Sequence, residues 1–281
     1  MRLEIAEIDS AANGTPLWLR RTWPSERTPA SVGVRLNKGD GSFAVRRIYP
    51  ARRGATALTA ADLDRDGDLD LAVANQWANS ISILRNRGGG DFEPAVNYSA
   101  GAAPLAIAAG DLDGDQDLDL WVANWGEDTV SLKENTGDAI FNGERSVRWF
   151  VGNAPSDVKP FDLDEDGKLD MIVTRWTDDL VSQYHNKGGW TFENWQNIRT
   201  GNEPINLTLA DLDGDGDTDL SVANAANTRG KGSISLYQNI GGSVLANVGV
   251  LNPGIQTTSV NAVDLDQDGH LDLVATRFGA N

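Results

Sequence analysis

The stretch Asp62 to Asn75, DLDRDGDLDLAVAN, places five aspartates at alternate positions within nine residues, with a glycine at the sixth. Carboxylates this close repel one another unless a cation neutralises them. The pattern D-x-D-x-D-G-x-x-D, followed by apolar residues, recurs with one substitution at Asp111, Asp162, Asp211 and Asp264. Successive copies begin 49, 51, 49 and 53 residues apart. A period of this length indicates an array of similar structural units.

A second motif keeps the same period. Asn-x-Gly favours a tight turn, because Asn and Gly tolerate positive φ. Six residues after each asparagine comes an apolar residue, which we expect to open a strand and pack between sheets. The asparagines are Asn37, Asn86, Asn135, Asn186 and Asn239, and the apolar residues are Phe43, Phe92, Phe141, Phe192 and Leu245.

Alternating apolar residues between these motifs, such as Leu69, Leu71 and Val73, predict four short strands, A to D, in each unit. Four antiparallel strands per roughly 40–50 residues are typical of a propeller blade. The sequence therefore predicts an all-β fold, a single β-propeller domain over residues 1–281 with four-stranded antiparallel blades. The acidic loop joins strands A and B of each blade.

Residues 1–50 are predicted to form a degraded first blade. In it, Glu7 to Arg21 is a weak copy of the acidic loop that keeps only Glu7 and Asp9, so we expect it to bind no metal. About five to six blades are visible in the chain. A closed five- or six-bladed ring and a part of a larger, seven-bladed ring both remain open.

The acidic loops, residues 62–70, 111–119, 162–170, 211–219 and 264–272, are predicted calcium sites. Calcium takes 6–8 oxygen ligands, and alternate residues of a tight loop point three carboxylates at one ion. The glycine permits the turn, the seventh residue offers its backbone carbonyl, and the ninth aspartate closes the cage. Gln116 replaces the glycine in the second loop, where we expect strain. The predicted side-chain ligands are Asp62, Asp64, Asp66 and Asp70; Asp111, Asp113, Asp115 and Asp119; Asp162, Asp164, Asp166 and Asp170; Asp211, Asp213, Asp215 and Asp219; Asp264, Asp266, Asp268 and Asp272. The predicted carbonyl ligands are Asp68, Asp117, Lys168, Asp217 and His270.

Other metals fit this pattern less well. An EF-hand loop is longer and ends in glutamate, magnesium rarely takes an all-protein cage, and zinc prefers His or Cys. The predicted side-chain ligands account for 20 of the 41 acidic residues, and the other 21 acids face 24 Lys and Arg. About five structural Ca²⁺ ions would change the formal net charge from -17 to -7.

These features resemble the FG-GAP or VCBS-type repeats of calcium-binding β-propellers. The acidic loop followed by LDLAVAN, with NRGGGDF downstream, carries the resemblance, which is weakest over residues 1–30. Integrin α-subunit heads and several secreted lectins and bacterial surface proteins have similar blades. The resemblance implies that the calcium loops lie on one face and that partners often bind the opposite face. It hardly specifies the ligand.

An aromatic residue follows strand B in all but the fourth acidic-loop unit, and these residues are candidates for ligand binding. They are Trp23, Trp77, Trp125, Trp176 and Phe278, and we expect them at the end of the sheets opposite the calcium loops. Two interpretations stay open: the rings stack on sugars, or they fill gaps between blades. Asn75, Asn124 and Asn224 end strand B and either contact a sugar or, as we favour, cap turns.

The sequence favours a non-catalytic, calcium-stabilised binding module for a glycan or protein ligand, with an adhesive role. The alternatives are a calcium-dependent polysaccharide lyase or hydrolase, or an architectural segment of a larger surface protein. The net charge argues against a nucleic-acid partner. Cysteine is absent, and the two histidines are His270, in the fifth loop, and His185, which we expect at the surface.

No segment has the ~20 apolar residues of a membrane span. We expect a secreted or cell-surface protein, although the opening MRLEIAEIDS lacks the features of a signal peptide. The sequence does not indicate the oligomeric state.

Overall fold

A computed structural model describes residues 3–9, 30–142, 146–225, 232–254 and 256–277. The regular structure of the described chain is β-strand, apart from two 3-10 turns at Gln76–Ala78 and Trp176–Asp178. It divides into two compact units, Met1–Phe150 and Val151–Asn281. No helix in the described part of the chain has the length and apolar character needed to cross a bilayer.

The described residues of the first unit form a three-stranded sheet and two four-stranded sheets, each an antiparallel meander in chain order. The three-stranded sheet contains β1 (Leu3–Asp9), β2 (Ala30–Leu36) and β3 (Arg47–Ala51). The next contains β4 (Ala55–Ala61), β5 (Asp70–Asn75), β6 (Ser80–Leu84) and β7 (Val96–Ser99). The third contains β8 (Pro104–Gly110), β9 (Asp119–Asn124), β10 (Thr129–Lys133) and β11 (Ser146–Phe150).

The second unit repeats this arrangement with two four-stranded sheets and a two-stranded sheet in its described residues. The first contains β12 (Pro155–Phe161), β13 (Asp170–Arg175), β14 (Leu180–Asn186) and β15 (Phe192–Arg199). The second contains β16 (Pro204–Ala210), β17 (Asp219–Asn224), β18 (Gly232–Asn239) and β19 (Leu245–Gly254). The last contains β20 (Thr257–Val263) and β21 (Asp272–Arg277). The four-stranded sheets confirm the predicted blade, with strands A to D in order.

The second strand of each four-stranded sheet is buried along its whole length or nearly so. These strands read DLAVAN, DLWVAN, DMIVTR and DLSVAN, and their apolar side chains pack against both neighbouring strands and adjacent sheets. In the first unit the shared core includes Ile81, Ile83, Leu120 and Val122. Burial of these apolar faces holds neighbouring sheets of a unit together.

The Asn-x-Gly motifs form the predicted turns between strands C and D. In the second sheet the Gly88 amide donates a hydrogen bond of 3.1 Å to Asn86 Oδ1, and Gly88 has a φ of +95°. The apolar residue that follows each turn is buried in four of the five copies. Phe43, which follows the first turn, is 36% exposed.

The first sheet differs from the prediction. Glu7 and Asp9 lie within β1, where Glu7 pairs with Gly33 of β2. They are therefore strand residues, and not part of a degraded acidic loop, because β1 takes the place that strand B has in the other sheets. The rest of that predicted copy, from residue 10 onward, lies outside the described residues.

Candidate metal centres and the opposite end of the sheets

Each acidic loop joins the first two strands of a sheet, as the sequence predicts. Three aspartates of every loop bring ligand oxygens within 4.8 Å of one another. In the first four loops these are the aspartates at positions one, three and five, and in the last loop they are Asp264, Asp266 and Asp272. Oxygen donors gathered this closely fit a hard cation such as calcium.

The loop backbone is folded by its own carboxylates. In the first loop, the Gly67 amide donates to Asp62 Oδ2 at 3.0 Å, and the Asp68 amide donates to Asp66 Oδ1 at 2.8 Å. The equivalent bonds occur in all five loops. The loops thus share one conformation that turns the carboxylates toward a common point.

The sixth position of every loop has a positive φ, which explains the recurring glycine. Gln116 adopts a φ of +74° there, in a region that disfavours residues with a Cβ, so the predicted strain is confirmed. The fourth residue of each loop also has a left-handed backbone conformation, as in Arg65 with a φ of +60°. Sequence reasoning missed that requirement, although Gly114 and Gly214 at this position signalled it.

The ninth aspartate connects the acidic loop to the turn between strands C and D. Asp70 Oδ2 accepts the Leu63 amide at 3.1 Å, and Asp70 Oδ1 accepts the Asn86 amide at 2.7 Å. Asp119, Asp170 and Asp219 make the same two bonds. In the first four loops this aspartate lies outside the close oxygen group, while Asp272 belongs to it in the fifth. The ninth position therefore has a structural function in addition to the ligand role predicted for it.

Some carboxyl groups of these loops have raised pKa values. Burial raises the pKa of Asp70 to about 6 and that of Asp119 to about 7, with neighbouring aspartates adding to the effect. Burial and the carboxylate of Asp66 likewise raise the pKa of Asp64. A bound divalent cation would favour the ionised forms of all these groups.

The side chain at the seventh position of the loops varies, as expected for a residue whose backbone carbonyl is the predicted ligand. Asp117 forms an ion pair of 2.6 Å with Arg65 of the preceding loop, which connects two loops of the first unit. The Lys168 ammonium pairs with Asp166 of its own loop. His270 is exposed.

The structure corrects the expectation that His185 is a surface residue. It lies at the end of β14, and only 5% of it is exposed. Its imidazole stacks on Trp195, with ring centroids 4.5 Å apart and an angle of 13° between the planes. The local sequence contains no signal for this burial, because β14 is buried on both faces from Val181 to Asn186 and shows no alternation.

At the other end of the sheets, the turn after strand B packs on the connection between strands D and A. The Gln76 amide donates to Gly54 O at 2.7 Å, and the Trp125 and Trp176 amides make the corresponding bonds at 3.1 and 3.0 Å. Trp77, Trp125 and Trp176 are each half-buried, and the Trp77 ring lies directly over Gly54. Trp23 and Phe278 lie outside the described residues. The structure thus leaves part of each described indole accessible.

The asparagines that end strand B are buried and bonded within their own sheets. Asn124 Nδ2 donates to Ser131 Oγ at 2.8 Å and to Thr129 Oγ1 at 3.1 Å, while its Oδ1 accepts the Gly101 amide at 3.1 Å. Asn75 and Asn224 donate to serine hydroxyls of the next strand in the same way. They are structural residues, as the favoured interpretation held.

Comparisons with known proteins agree with the geometry. A model described as the FG-GAP-like repeat matches residues 25–73, 62–122, 111–173, 162–222 and 211–275. No curated protein matches the chain in sequence.

Several solved structures have a fold similar to that of this chain. A Bacteroides uniformis protein, provisionally described as a 6-phosphogluconolactonase, has a TM-score of 0.63 and 15% identity, covering 89% of this chain and 71% of that one. Virginiamycin B lyase from Staphylococcus aureus has a TM-score of 0.58 and 17% identity, covering 90% and 72%. A functionally unknown protein from Desulfotomaculum acetoxidans has a TM-score of 0.58 and 9% identity, covering 84% and 66%. Identities this low indicate a shared fold alone.

Proposed function

Because the chain belongs to the FG-GAP-like repeat family, and has a repeat β-propeller-like fold, we propose that it is a non-catalytic binding module stabilised by calcium. The observation that carries this proposal is the close oxygen group in each of the five acidic loops. Repetition of one oxygen-only cluster at the same corner of successive sheets favours a structural ion in each over a single reactive centre.

Calcium would act by joining parts of the chain that otherwise repel one another. Its ligands would be the close aspartates of each loop, completed by the seventh carbonyl and the ninth aspartate. Because the ninth aspartate also bonds the turn between strands C and D, an ion in the loop would stabilise both connections at that end of the sheet. Binding that requires the folded loop stabilises the folded state by mass action.

The calcium affinity expected of these loops supports a secreted or cell-surface location. Extracellular calcium modules typically have dissociation constants of about 10⁻⁴–10⁻³ M, which suits loops that are partly exposed. A chain with several such sites would be fully loaded only where calcium is abundant.

The ligand, a glycan or a protein, would bind at the end that carries Trp77, Trp125 and Trp176. A half-exposed indole offers a flat apolar face, and the backbone bonds beside it hold the turn in place. Rigid aromatic groups of this kind contribute contact area at low entropic cost. Since the strand-end asparagines are buried, hydrogen bonds to a ligand would come from exposed groups such as Asn79 and Asn153.

A glycan array and a pull-down from extracellular extracts, both in calcium, test this proposal. Trp125→Ala should lower binding at least tenfold. Trp195→Ala is the matched control, because Trp195 is 51% exposed on the outer strand β15, away from the turns after strand B. Equal loss in both variants, or none in either, would contradict the assignment. Calcium-dependent turnover in a polysaccharide screen would instead show an enzyme.

A further inference from the structure

The third acidic loop, residues 162–170, has a buried imidazole beside its carboxylates. His185 Nδ1 lies 3.3 Å from Asp164 Oδ2, and the histidine side chain is 6% exposed. His185 Nε2 is buried and has no hydrogen-bond partner among the described residues. A buried imidazole aimed at a group of metal-type oxygen ligands is itself a metal ligand in many proteins.

The distance between the two atoms is long for a direct ionic hydrogen bond and fits a shared ion. Hydrogen bonds between a protonated nitrogen and a carboxylate are typically about 2.7–2.9 Å long. Two ligand atoms bound at about 2.0–2.1 Å to one tetrahedral ion lie roughly 3.3–3.4 Å apart. The observed 3.3 Å is therefore the separation expected for two neighbouring ligands of one transition-metal ion.

Other groups around the imidazole make this loop a poorer calcium site than the rest. The Lys168 ammonium occupies an oxygen of Asp166, so one hard ligand is already engaged. Trp195 covers one face of the imidazole, which shields the nitrogen from water.

The equivalent position in the other sheets confirms that the nitrogen ligand is particular to this loop. The residue before each Asn-x-Gly turn is Arg85, Glu134 or Gln238 in the other four-stranded sheets. Gln238 Nε2 donates to Asp213 Oδ2, the same oxygen of the third-position aspartate that His185 faces in its own loop. Glutamine can supply a hydrogen bond at this position, but only histidine supplies an uncharged nitrogen ligand.

We propose that His185 and the loop at residues 162–170 form a mixed nitrogen and oxygen site that selects a divalent first-row transition-metal ion over calcium. The ligands are His185 Nδ1, Asp164 and one or both of Asp162 and Asp166. Imidazole nitrogen suits ions such as Zn²⁺ and Co²⁺, whereas calcium prefers oxygen alone. The inference does not depend on calcium occupying the other four loops.

Cobalt titration of the full chain in excess calcium tests the proposal, because bound Co²⁺ is visible by its absorption. The wild type should retain one Co²⁺ per chain. His185→Gln should bind it at least about tenfold more weakly, although glutamine keeps the hydrogen-bond donor, as Gln238 does. His270→Gln is the control, since it removes the other histidine of the chain, and should leave the affinity unchanged. Thermal unfolding of each variant shows that it is folded.

Two results would overturn the proposal: equal Co²⁺ affinity in the wild type and His185→Gln, or displacement of Co²⁺ by calcium as readily from the wild type as from the variant. Equilibrium dialysis with calcium alone separates this inference from the proposed function. A chain that needs His185 for Co²⁺ but binds no calcium would support the transition-metal site and refute the calcium module.

Discussion

Gln116 stands where the other four loops have glycine, and its replacement offers a quantitative test of the loop conformation. Its φ is +74°, its side chain is exposed, and its amide donates to Asp111 Oδ2 at 3.0 Å. Glycine would retain that hydrogen bond and remove the Cβ that makes the left-handed conformation unfavourable. We therefore expect Gln116→Gly to stabilise the protein.

Two opposing contributions set the size of this change in the free energy of unfolding. A left-handed residue with a Cβ costs roughly 1–2 kcal/mol, whereas glycine loses about 0.5–1 kcal/mol more conformational entropy on folding. The free energy of unfolding should rise by about 0.5–1 kcal/mol. For the unit Met1–Phe150, this corresponds to an increase in Tm of roughly 1–4 °C.

The reverse substitution, Gly216→Gln, is the matched control. Gly216 holds the same loop position with a φ of +97°, and an added Cβ would meet no atom within 4 Å, so backbone conformation alone opposes the glutamine. We expect the same change with the opposite sign, a loss of about 0.5–1 kcal/mol. Urea unfolding in saturating calcium measures both variants. A destabilised Gln116→Gly, or a neutral Gly216→Gln, would refute the account of the loop.

Three further predictions concern groups outside the metal loops. Asn124→Ala should lower the free energy of unfolding by about 1–3 kcal/mol, because it leaves the buried Gly101 amide unpaired, and glycan binding by the folded variant should not change. Burial raises the pKa of the Asp157 carboxyl above its ordinary value of 3.8. The folded state therefore binds this proton more tightly than the unfolded chain does, and the free energy of unfolding should fall as pH rises above 3.8. Asp157→Asn should make the free energy of unfolding, measured in urea, less dependent on pH across about pH 4–7. Trp77→Ala should lower ligand affinity and also Tm, since its ring packs on Gly54, whereas an unchanged Tm would contradict that packing.

The regular parts of the molecule were predictable from the sequence because each motif depends on local chemistry. The acidic loop contains its own hydrogen-bond acceptors, and Asn-x-Gly contains its own turn, so both fold alike wherever they occur. Together they indicated the strand order of the four-stranded sheets and the aspartate groups.

The remaining features depend on what each segment packs against. Ala72 and Val274 occupy the same place in the repeat, yet Ala72 is fully buried and Val274 is 40% exposed. In the described part of the chain β21 pairs with β20 alone, whereas β5 lies between two strands. Likewise, His185 ends a strand beside a turn, which indicated exposure, but Trp195 and the acidic loop cover it. No pattern in the local sequence indicates which distant residues will pack over a side chain.

The most direct test of the calcium account is thermal unfolding of the same preparation with excess calcium and after exhaustive chelation, together with a count of bound calcium by equilibrium dialysis. The account predicts several calcium ions per chain and a Tm that falls markedly on chelation, since binding at 100 times the dissociation constant contributes about 2.7 kcal/mol for each site. Identical melting curves with and without calcium, or no bound calcium, would contradict it.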